Sequence, residues 1–269
     1  MDITRVCVVG GGTMGNGIAH VFALKGFEVT LIEAKKELAD KALANIGKNL
    51  DRQTAKGIIT EAEKTGALGR LKTALSPAEA KGFHFAVEAV SERMDLKKLI
   101  FRDLDAAAAP GAILATNTSS LPVTEIASVV KDPARVIGMH FMNPVPVMKL
   151  VELIRGLQTS DATYQSVHDL TLKLGKTPAV AKDFPGFISN RVLMPMINEA
   201  ICCLMEGVST KEDIDTIMKL GMAHPMGPLQ LADYIGLDVC LAIMNVLHDG
   251  FADSKYRPCP LLKQMVQAG

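Results

Sequence analysis

A glycine-rich hexapeptide near the start of the chain most constrains what this sequence can fold into. Gly10-Gly11-Gly12-Thr13-Met14-Gly15 follows the β-branched run Val6–Val9, and apolar residues then recur at helical spacing over residues 18–24. Residues 28–33 alternate and predict a second strand. Strand, glycine turn, helix and strand in this order predict a βαβ unit, the building block of an open parallel sheet.

The spaced glycines in this hexapeptide each have a physical reason. Gly10 permits a tight turn, Gly12 lets the backbone approach a pyrophosphate, and Gly15 lets the helix pack closely on the strand. The helix N-terminus supplies N–H groups and a partial positive charge for phosphates. Glu33 ends the second predicted strand, where it can accept both ribose hydroxyls and would repel a 2′-phosphate. These features predict NAD rather than NADP, although a glycine turn without a nucleotide, or FAD or S-adenosylmethionine as the ligand, stays open.

The charge balance and the cysteines restrict the classes of partner. Lys plus Arg and Asp plus Glu each number 29, so the net charge is zero, and we expect no binding to nucleic acid or to a membrane surface. No apolar run is long enough to span a bilayer. The cysteines lack metal-ligand spacing, which predicts no metal site and, as free thiols, a cytoplasmic protein. They are Cys7, Cys202, Cys203, Cys240 and Cys259.

Strand signals continue along the first two thirds of the chain. From Lys35 to about Leu71 the sequence is charged and alanine-rich, which predicts a helical excursion without a strand. Beyond that stretch strands and helices alternate again, as in a sheet wound on both faces. The further strands are predicted at Phe85–Val90, Ala112–Thr116, Val136–His140, Lys149–Ile154 and Ala179–Ala181.

The pattern changes near residue 184, where we place a domain boundary. Beyond it we find only helical periodicity, over residues 188–205, 211–220 and 229–247. The predicted fold is therefore α/β. A doubly wound, Rossmann-type, mostly parallel sheet over residues 1–184 forms the NAD-binding domain. We expect a smaller all-helical C-terminal domain over residues 185–269 that serves dimerisation and substrate binding.

A histidine and a glutamate are the strongest candidates for acid–base chemistry. His140 ends an apolar strand, and ligands bind at the carboxyl ends of such strands. Glu152 is a lone carboxylate in an apolar strand, and the two residues are equidistant from a bend at Pro146. A glutamate that holds one imidazole nitrogen fixes the tautomer and stabilises the imidazolium. An incidental His140 and a solvated Glu152 stay open as the alternative.

Other polar residues are weaker candidates. Asn117-Thr118-Ser119-Ser120 follows a predicted strand, and we interpret Ser120 first as a helix cap and Ser119 as a donor to a substrate oxygen. His224 precedes a proline and could line a loop. The remaining histidines are interpreted as solvated or capping residues; they are His20, His84, His168 and His248.

Long motifs, in order, resemble the 3-hydroxyacyl-CoA dehydrogenases, and most closely the short bacterial 3-hydroxybutyryl-CoA dehydrogenases. The matching segments cover nearly the whole chain, from Val6 to about Pro260. They are G-G-G-T-M-G-x-G-I-A at 10–19, V-E-A-V-S-E at 87–92, N-T-S-S-L at 117–121, H-F-M-N-P-V-P-V-M-K-L-V-E at 140–152, D-F-P-G-F-I-S-N-R at 183–191, E-D-I-D-T-I-M-K-L-G at 212–221 and P-M-G-P-L-Q-L-A-D-Y-I-G-L-D at 225–238.

The resemblance implies a role for each matched residue. His140 is the general base, Glu152 its orienting partner, and Ser119 the donor to the substrate's 3-oxygen. Asn190 helps to position the substrate and His140. The cofactor contacts outside the glycine loop are Glu33, Glu92, Lys97, Asn117 and Asn143. Asn49 and Lys56 fall where relatives hold coenzyme A, in a basic stretch that suits its phosphates.

The expected reaction is the reversible oxidation of a short (3S)-3-hydroxyacyl-CoA by NAD, as in fatty acid and butyrate metabolism. Two alternatives stay open: a hydroxyacid or sugar-acid dehydrogenase of the same fold, and a non-catalytic NAD-binding relative. Relatives continue into a basic, glycine-rich segment ending in Phe-Tyr that does not occur up to Gly269, so either a basic contact to the cofactor and some packing of the last helix are lost, or the sequence is incomplete. The apolar C-terminal helices are expected to pair in a homodimer.

Overall fold

The computed structural model describes residues 2–269 and divides the chain into two compact units. One ends at Asp183, and the other spans Phe184–Gly269. The first unit contains the sheet and the second is helical, which agrees with the predicted fold class.

An eight-stranded sheet organises the first unit, in the strand order β3-β2-β1-β4-β5-β6-β7-β8. Strands β1 to β6 are parallel, in the order found in dinucleotide-binding folds, and the glycine loop and the end of β4 lie where the order reverses. The strands are β1 (Arg5–Val9), β2 (Glu28–Ile32), β3 (Leu71–Ala74), β4 (Phe85–Glu88), β5 (Ile113–Thr116), β6 (Val136–Phe141), β7 (Leu150–Arg155) and β8 (Thr177–Lys182).

Helices cover both faces of this sheet. They are α1 (Thr13–Leu24), α2 (Lys36–Ala55), α3 (Glu61–Gly69), α4 (Met94–Ala107), α5 (Val123–Ala127) and α6 (Asp161–Lys173). The main core forms between one face and α1, α2, α3 and α6, and includes Phe22, Ile46 and Ile137. On the opposite face Gly138 leaves room for Ile154 and for α5, because a Cβ there would lie 2.7 Å from Ile154 and 3.1 Å from Val123.

Strand β3 was not expected from the sequence. The predicted helical excursion after Lys35 in fact ends with α3, and Leu71–Ala74 then pairs with β2. Only Ala74 of this edge strand is buried. Burial of one residue in four leaves little hydrophobic signal in the sequence, so backbone pairing with β2 decides the conformation.

The sheet reverses direction between β6 and β7. These two strands are antiparallel, and β8 then pairs with β7 in parallel through the crossover helix α6. The reversal is a turn over residues 142–149 that contains a cis peptide bond between Asn143 and Pro144. The register places His140 directly opposite Glu152, as expected from their equal distance to Pro146.

The second unit contains five α-helices within its described residues: α7 (Ser189–Met205), α8 (Lys211–Thr216), α9 (Pro228–Ile235), α10 (Leu237–Phe251) and α11 (Pro260–Ala268). Their shared core includes Met194, Met244 and Leu262. The single helix predicted over residues 229–247 is wrong. The chain breaks at Gly236, where φ is +101°, and the two resulting helices lie at 99° to each other.

Within residues 2–269 no single helix has the length and hydropathy needed to cross a membrane. The bent pair of α9 and α10 passes that test on length and composition alone.

Candidate active site

The glycine loop has the geometry that phosphate binding needs. Gly10 has φ +94°, and a Cβ there would lie 2.7 Å from the carbonyl oxygen of Ala89. A Cβ at Gly15 would collide with the carbonyl oxygen of Gly10, so α1 and β1 pack at a distance that only glycine allows. At Gly12 a Cβ would point into open space, and no side chain caps the N-terminus of α1. The loop therefore fits a pyrophosphate.

Glu33 lies beside this loop in a fixed position. Its Oε1 accepts the N–H of Gly11 at 2.6 Å, and its Oε2 accepts the N–H of Ala34 at 3.1 Å. It borders a cavity of about 500 Å³ at the carboxyl ends of β1, β2 and β4, where a carboxylate can meet ribose hydroxyls. The cavity is also lined by Val9, Gly10, Gly12, Leu75, Ser76, Val90, Leu96 and Ile100, among others.

Two side chains of the first unit flank the imidazole of His140. His140 Nδ1 lies 3.2 Å from Glu152 Oε2, and His140 Nε2 lies 3.1 Å from Ser119 Oγ. His140 and Glu152 are buried and Ser119 is half-buried. A carboxylate at Nδ1 favours the tautomer with its proton on that nitrogen, so Nε2 can accept a proton from an alcohol. The arrangement is that of a general base with an orienting carboxylate.

Glu92 holds the loop that carries Ser119. Its Oε1 accepts the backbone N–H groups of Ser119 and Ser120 at 2.9 and 3.0 Å and also the Thr118 hydroxyl. Burial raises the pKa of Glu92, but the charge of Lys97 and these hydrogen bonds outweigh that effect and hold the pKa below its usual value. The Ser120 hydroxyl also donates to Glu92 at 3.2 Å, while α5 has no side-chain cap. The interpretation of Ser120 as a helix cap is therefore wrong.

The other expected cofactor contacts, Lys97, Asn117 and Asn143, lie in different surroundings. Lys97 is fully buried, and its Nζ lies 2.7 Å from Glu88 Oε1 and 3.3 Å from Glu92 Oε2. Asn117 Oδ1 accepts the N–H of Phe141 at 2.9 Å, which ties the end of β5 to β6. Asn143 is exposed and belongs to the turn after β6.

A polar cavity of about 210 Å³ opens between the start of α1, the second half of α2 and the turn after β6. Of the two residues expected to hold coenzyme A, Asn49 lines this cavity. Lys56 is the C-terminal cap of α2 and is exposed, and it is not part of the lining. The basic lining residues are Lys48 and Arg52, and the polar ones are Thr13, Asn16, Asn45, Asn49 and Asn143.

A lysine that the sequence did not single out supports the turn between His140 and Glu152. Lys176 is buried, and its Nζ donates to the carbonyl oxygens of Val145 and Met148 at 2.5 and 2.6 Å. Burial and the nearby Lys25 ammonium lower the pKa of Lys176. Only its position after a glycine and before β8 could have drawn notice, because lysine in a sequence normally indicates solvent.

The interpretation of His20 as a solvated or capping residue is wrong. Its side chain is fully buried on α1, and its Nε2 lies 3.3 Å from Gln53 Oε1. Within residues 2–269 its Nδ1 has no hydrogen-bond partner. Burial lowers the pKa of His20 below 6.5.

Asn190 belongs to the second unit, where it is buried in the first turn of α7. That helix follows the D-F-P-G-F segment, in which Phe187 has φ +51° and Gly186 φ +71°. Among the described residues no group of three or more His, Cys, Asp or Glu side chains is placed to hold a metal ion.

Two family models together match almost the whole chain. The model described as the NAD binding domain of 3-hydroxyacyl-CoA dehydrogenase matches residues 5–184, and that described as its C-terminal domain matches residues 186–269. Because the first model is defined by NAD binding, it supports the dinucleotide expected from the glycine loop and Glu33.

Full-length relatives carry related names. A 3-hydroxybutyryl-CoA dehydrogenase of Bradyrhizobium diazoefficiens is 52% identical over 99% of this chain and 91% of its own length. One from Clostridioides difficile is 48% identical over 98% of this chain and 94% of its own. The crystal structure of (S)-3-hydroxybutyryl-CoA dehydrogenase from Ralstonia eutropha superposes with a TM-score of 0.97 at 49% identity, covering 100% of this chain and 95% of that one. The chain belongs to the 3-hydroxyacyl-CoA dehydrogenase family.

Proposed function

We propose that this NAD-dependent enzyme interconverts (3S)-3-hydroxybutyryl-CoA and acetoacetyl-CoA with His140 as its general acid and base. The observation that carries the proposal is the imidazole of His140 between Glu152 at Nδ1 and Ser119 at Nε2. The names of relatives at about half identity support a short acyl chain.

Each of the three side chains has one task in this proposal. In the oxidative direction His140 Nε2 takes the proton of the 3-hydroxyl, and Glu152 stabilises the imidazolium that forms. In the reductive direction the imidazolium returns the proton to the 3-oxygen, while the Ser119 hydroxyl donates a hydrogen bond to the same oxygen. The family resemblance adds Asn190 as a further contact to the substrate.

NAD fits the residues that would hold it. The open space at Gly12 and the uncapped start of α1 suit the pyrophosphate, and Glu33 suits the adenosine ribose. When bound, the cofactor supplies the acceptor for the hydride from C3 of the substrate. Glu92 and the Ser119 loop would border its nicotinamide, with Asn117 and Asn143 at the neighbouring strand ends.

Coenzyme A phosphates would meet the positive charges on α2. Lys48 and Arg52 line the polar cavity together with Asn49, and guanidinium and ammonium groups bind phosphate well. Lys56 stays a proposed contact further along the same helix.

The two units would then have different functions. We assign cofactor binding to the unit that ends at Asp183, and we assign substrate binding and dimerisation to the unit that follows it. Exposed apolar side chains of the second unit support a homodimer, since a monomer rarely leaves so many in water; they include Val192, Val208, Leu220, Met222 and Tyr234. The free thiols support a cytoplasmic location.

The decisive experiment is NADH consumption with acetoacetyl-CoA, compared with longer 3-oxoacyl-CoAs and with NADPH in place of NADH. We expect the highest kcat/KM with acetoacetyl-CoA and a strong preference for NADH. Best activity on a longer chain would contradict the short-chain assignment. No CoA-dependent turnover at all would favour a hydroxyacid or sugar-acid dehydrogenase, or a non-catalytic relative.

A further inference from the structure

A buried carboxylate outside the proposed catalytic set lies at the end of β4. Glu88 is fully buried and has three donors, each at 2.7 Å: Lys97 Nζ and the N–H of Val90 on Oε1, and the Thr116 hydroxyl on Oε2. A buried carboxylate is strongly unfavourable unless it is paired and hydrogen-bonded. The three donors around Glu88 supply the pairing and the hydrogen bonds that this burial requires.

Lys97 connects Glu88 to the site. Its ammonium is 2.7 Å from Glu88 and 3.3 Å from Glu92, whose side chain is 37% exposed. The other oxygen of Glu92 holds the N–H of Ser119, and the Ser119 hydroxyl contacts His140. Glu88 thus acts on the site through Lys97 and Glu92, without a direct contact to His140.

The three charges do not cancel. Two carboxylates share one ammonium, and the shorter, fully buried contact is the one between Glu88 and Lys97. Because Glu88 neutralises Lys97, the partly exposed Glu92 presents a net negative charge to the site. If Glu88 were neutral, Lys97 would pair with Glu92 alone and cancel that charge.

This negative charge distinguishes the two forms of the cofactor. A nicotinamide that exchanges hydride with a substrate held by Ser119 and His140 would lie beside Glu92, because Glu92 Oε1 accepts the N–H of Ser119. The oxidised ring carries a positive charge and the reduced ring does not, so the negative charge stabilises only the oxidised form. We infer that Glu88 is a positioning residue that sets the relative affinity for NAD+ and NADH by neutralising Lys97, an inference that rests on the proposed function.

The test is a pair of dissociation constants for each variant. NADH binding is followed by its fluorescence, which no tryptophan of this chain disturbs, and NAD+ binding by competition. Glu88→Gln should weaken NAD+ by about fivefold while NADH binding stays within about twofold of wild type. Glu92→Gln should shift the ratio in the same direction, because it removes the same charge. Glu125→Gln, which breaks an exposed pair with Lys98, should leave both constants unchanged.

A double variant separates charge from structure. In Glu88→Gln with Lys97→Gln one charge of each sign is lost, so the ratio for NAD+ and NADH should return to that of the wild type. A purely structural role for Glu88 would move both cofactors together and leave the double variant no better than the single one.

The inference is overturned if folded Glu88→Gln keeps the wild-type ratio of NAD+ affinity to NADH affinity. It is also overturned if this ratio stays below the wild-type value in the double variant. The double variant alone is sufficient for the test if Glu88→Gln does not fold. Failure of the wild-type protein to bind NADH would instead refute the proposed function.

Discussion

The two ring nitrogens of His140 face different partners, Glu152 and Ser119. A residue that replaces His140 must therefore make both contacts and also carry a proton. Glutamine at this position can still donate and accept hydrogen bonds, but it cannot carry a proton between substrate and solvent. We expect His140→Gln to lower kcat by about 10²- to 10⁴-fold, the usual contribution of general acid–base catalysis. NADH affinity, measured by fluorescence titration, should stay near that of the wild type. A variant that keeps most of its turnover would remove His140 from the mechanism.

A second histidine gives a prediction about stability and pH. Burial lowers the pKa of His20 in the folded protein, while the unfolded chain has the ordinary value near 6.5. Below about pH 6.5 the unfolded state therefore binds more protons, and the free energy of unfolding falls as the pH drops from about 6.5 toward the lower pKa of the folded state. Above that range the contribution of His20 is constant.

The measurement compares Tm at pH 8 and pH 5 in the wild type and in His20→Gln. The variant cannot titrate at this position but can still bond to Gln53, so its loss of Tm on acidification should be smaller. His168→Gln, on the partly exposed face of α6, is the matched control and should follow the wild type. Equal losses in all three proteins would show that His20 does not contribute to acid sensitivity.

At the scale of elements, the turn between β6 and β7 fixes the distance between His140 and Glu152. Lys176 holds this turn through two carbonyl oxygens. Lys176→Met keeps the length of the side chain but leaves both carbonyls without this donor, so the free energy of unfolding should fall by about 2 kcal/mol. We also expect kcat to fall more than the KM for NADH changes, because the His140–Glu152 pair loosens while the cofactor loop is untouched.

Denaturant unfolding and steady-state kinetics check this prediction. Lys173→Met, three residues earlier at the exposed end of α6, is the control and should change neither quantity. Wild-type stability and kcat in Lys176→Met would mean that the turn keeps its conformation without the ammonium.

The elements also show how far a sequence predicts such a fold. Glycine spacing and strand periodicity predict β1, α1 and β2, because those features act locally. The pairing of His140 with Glu152 follows from counting residues about Pro146. Strand β3 was missed because backbone pairing with β2 stabilises it, while its own residues carry little hydrophobic signal.

The break at Gly236 was missed because an isolated glycine inside an apolar run is compatible with a continuous helix. Lys176 bonds to carbonyl oxygens 31 and 28 residues earlier, and the hydroxyl on Glu88 comes from Thr116, 28 residues later, so no local pattern in the sequence predicts these contacts. The sequence alone does not show which partner each buried charged side chain contacts in the folded protein.

At the scale of the whole molecule, the exposed apolar side chains of the second unit predict self-association. Leu220 is 81% exposed and Val192 is 68% exposed in the single chain, and both belong to the larger set of exposed apolar side chains on the second unit. Light scattering coupled to size exclusion should give twice the chain mass of 28.8 kDa at micromolar concentration.

Val192→Glu combined with Leu220→Glu should shift the population toward the monomer, since burial of two carboxylates opposes the interface. Leu157→Glu, at an equally exposed leucine of the first unit, should leave the mass unchanged. A wild-type mass of 28.8 kDa at all concentrations would refute the dimer.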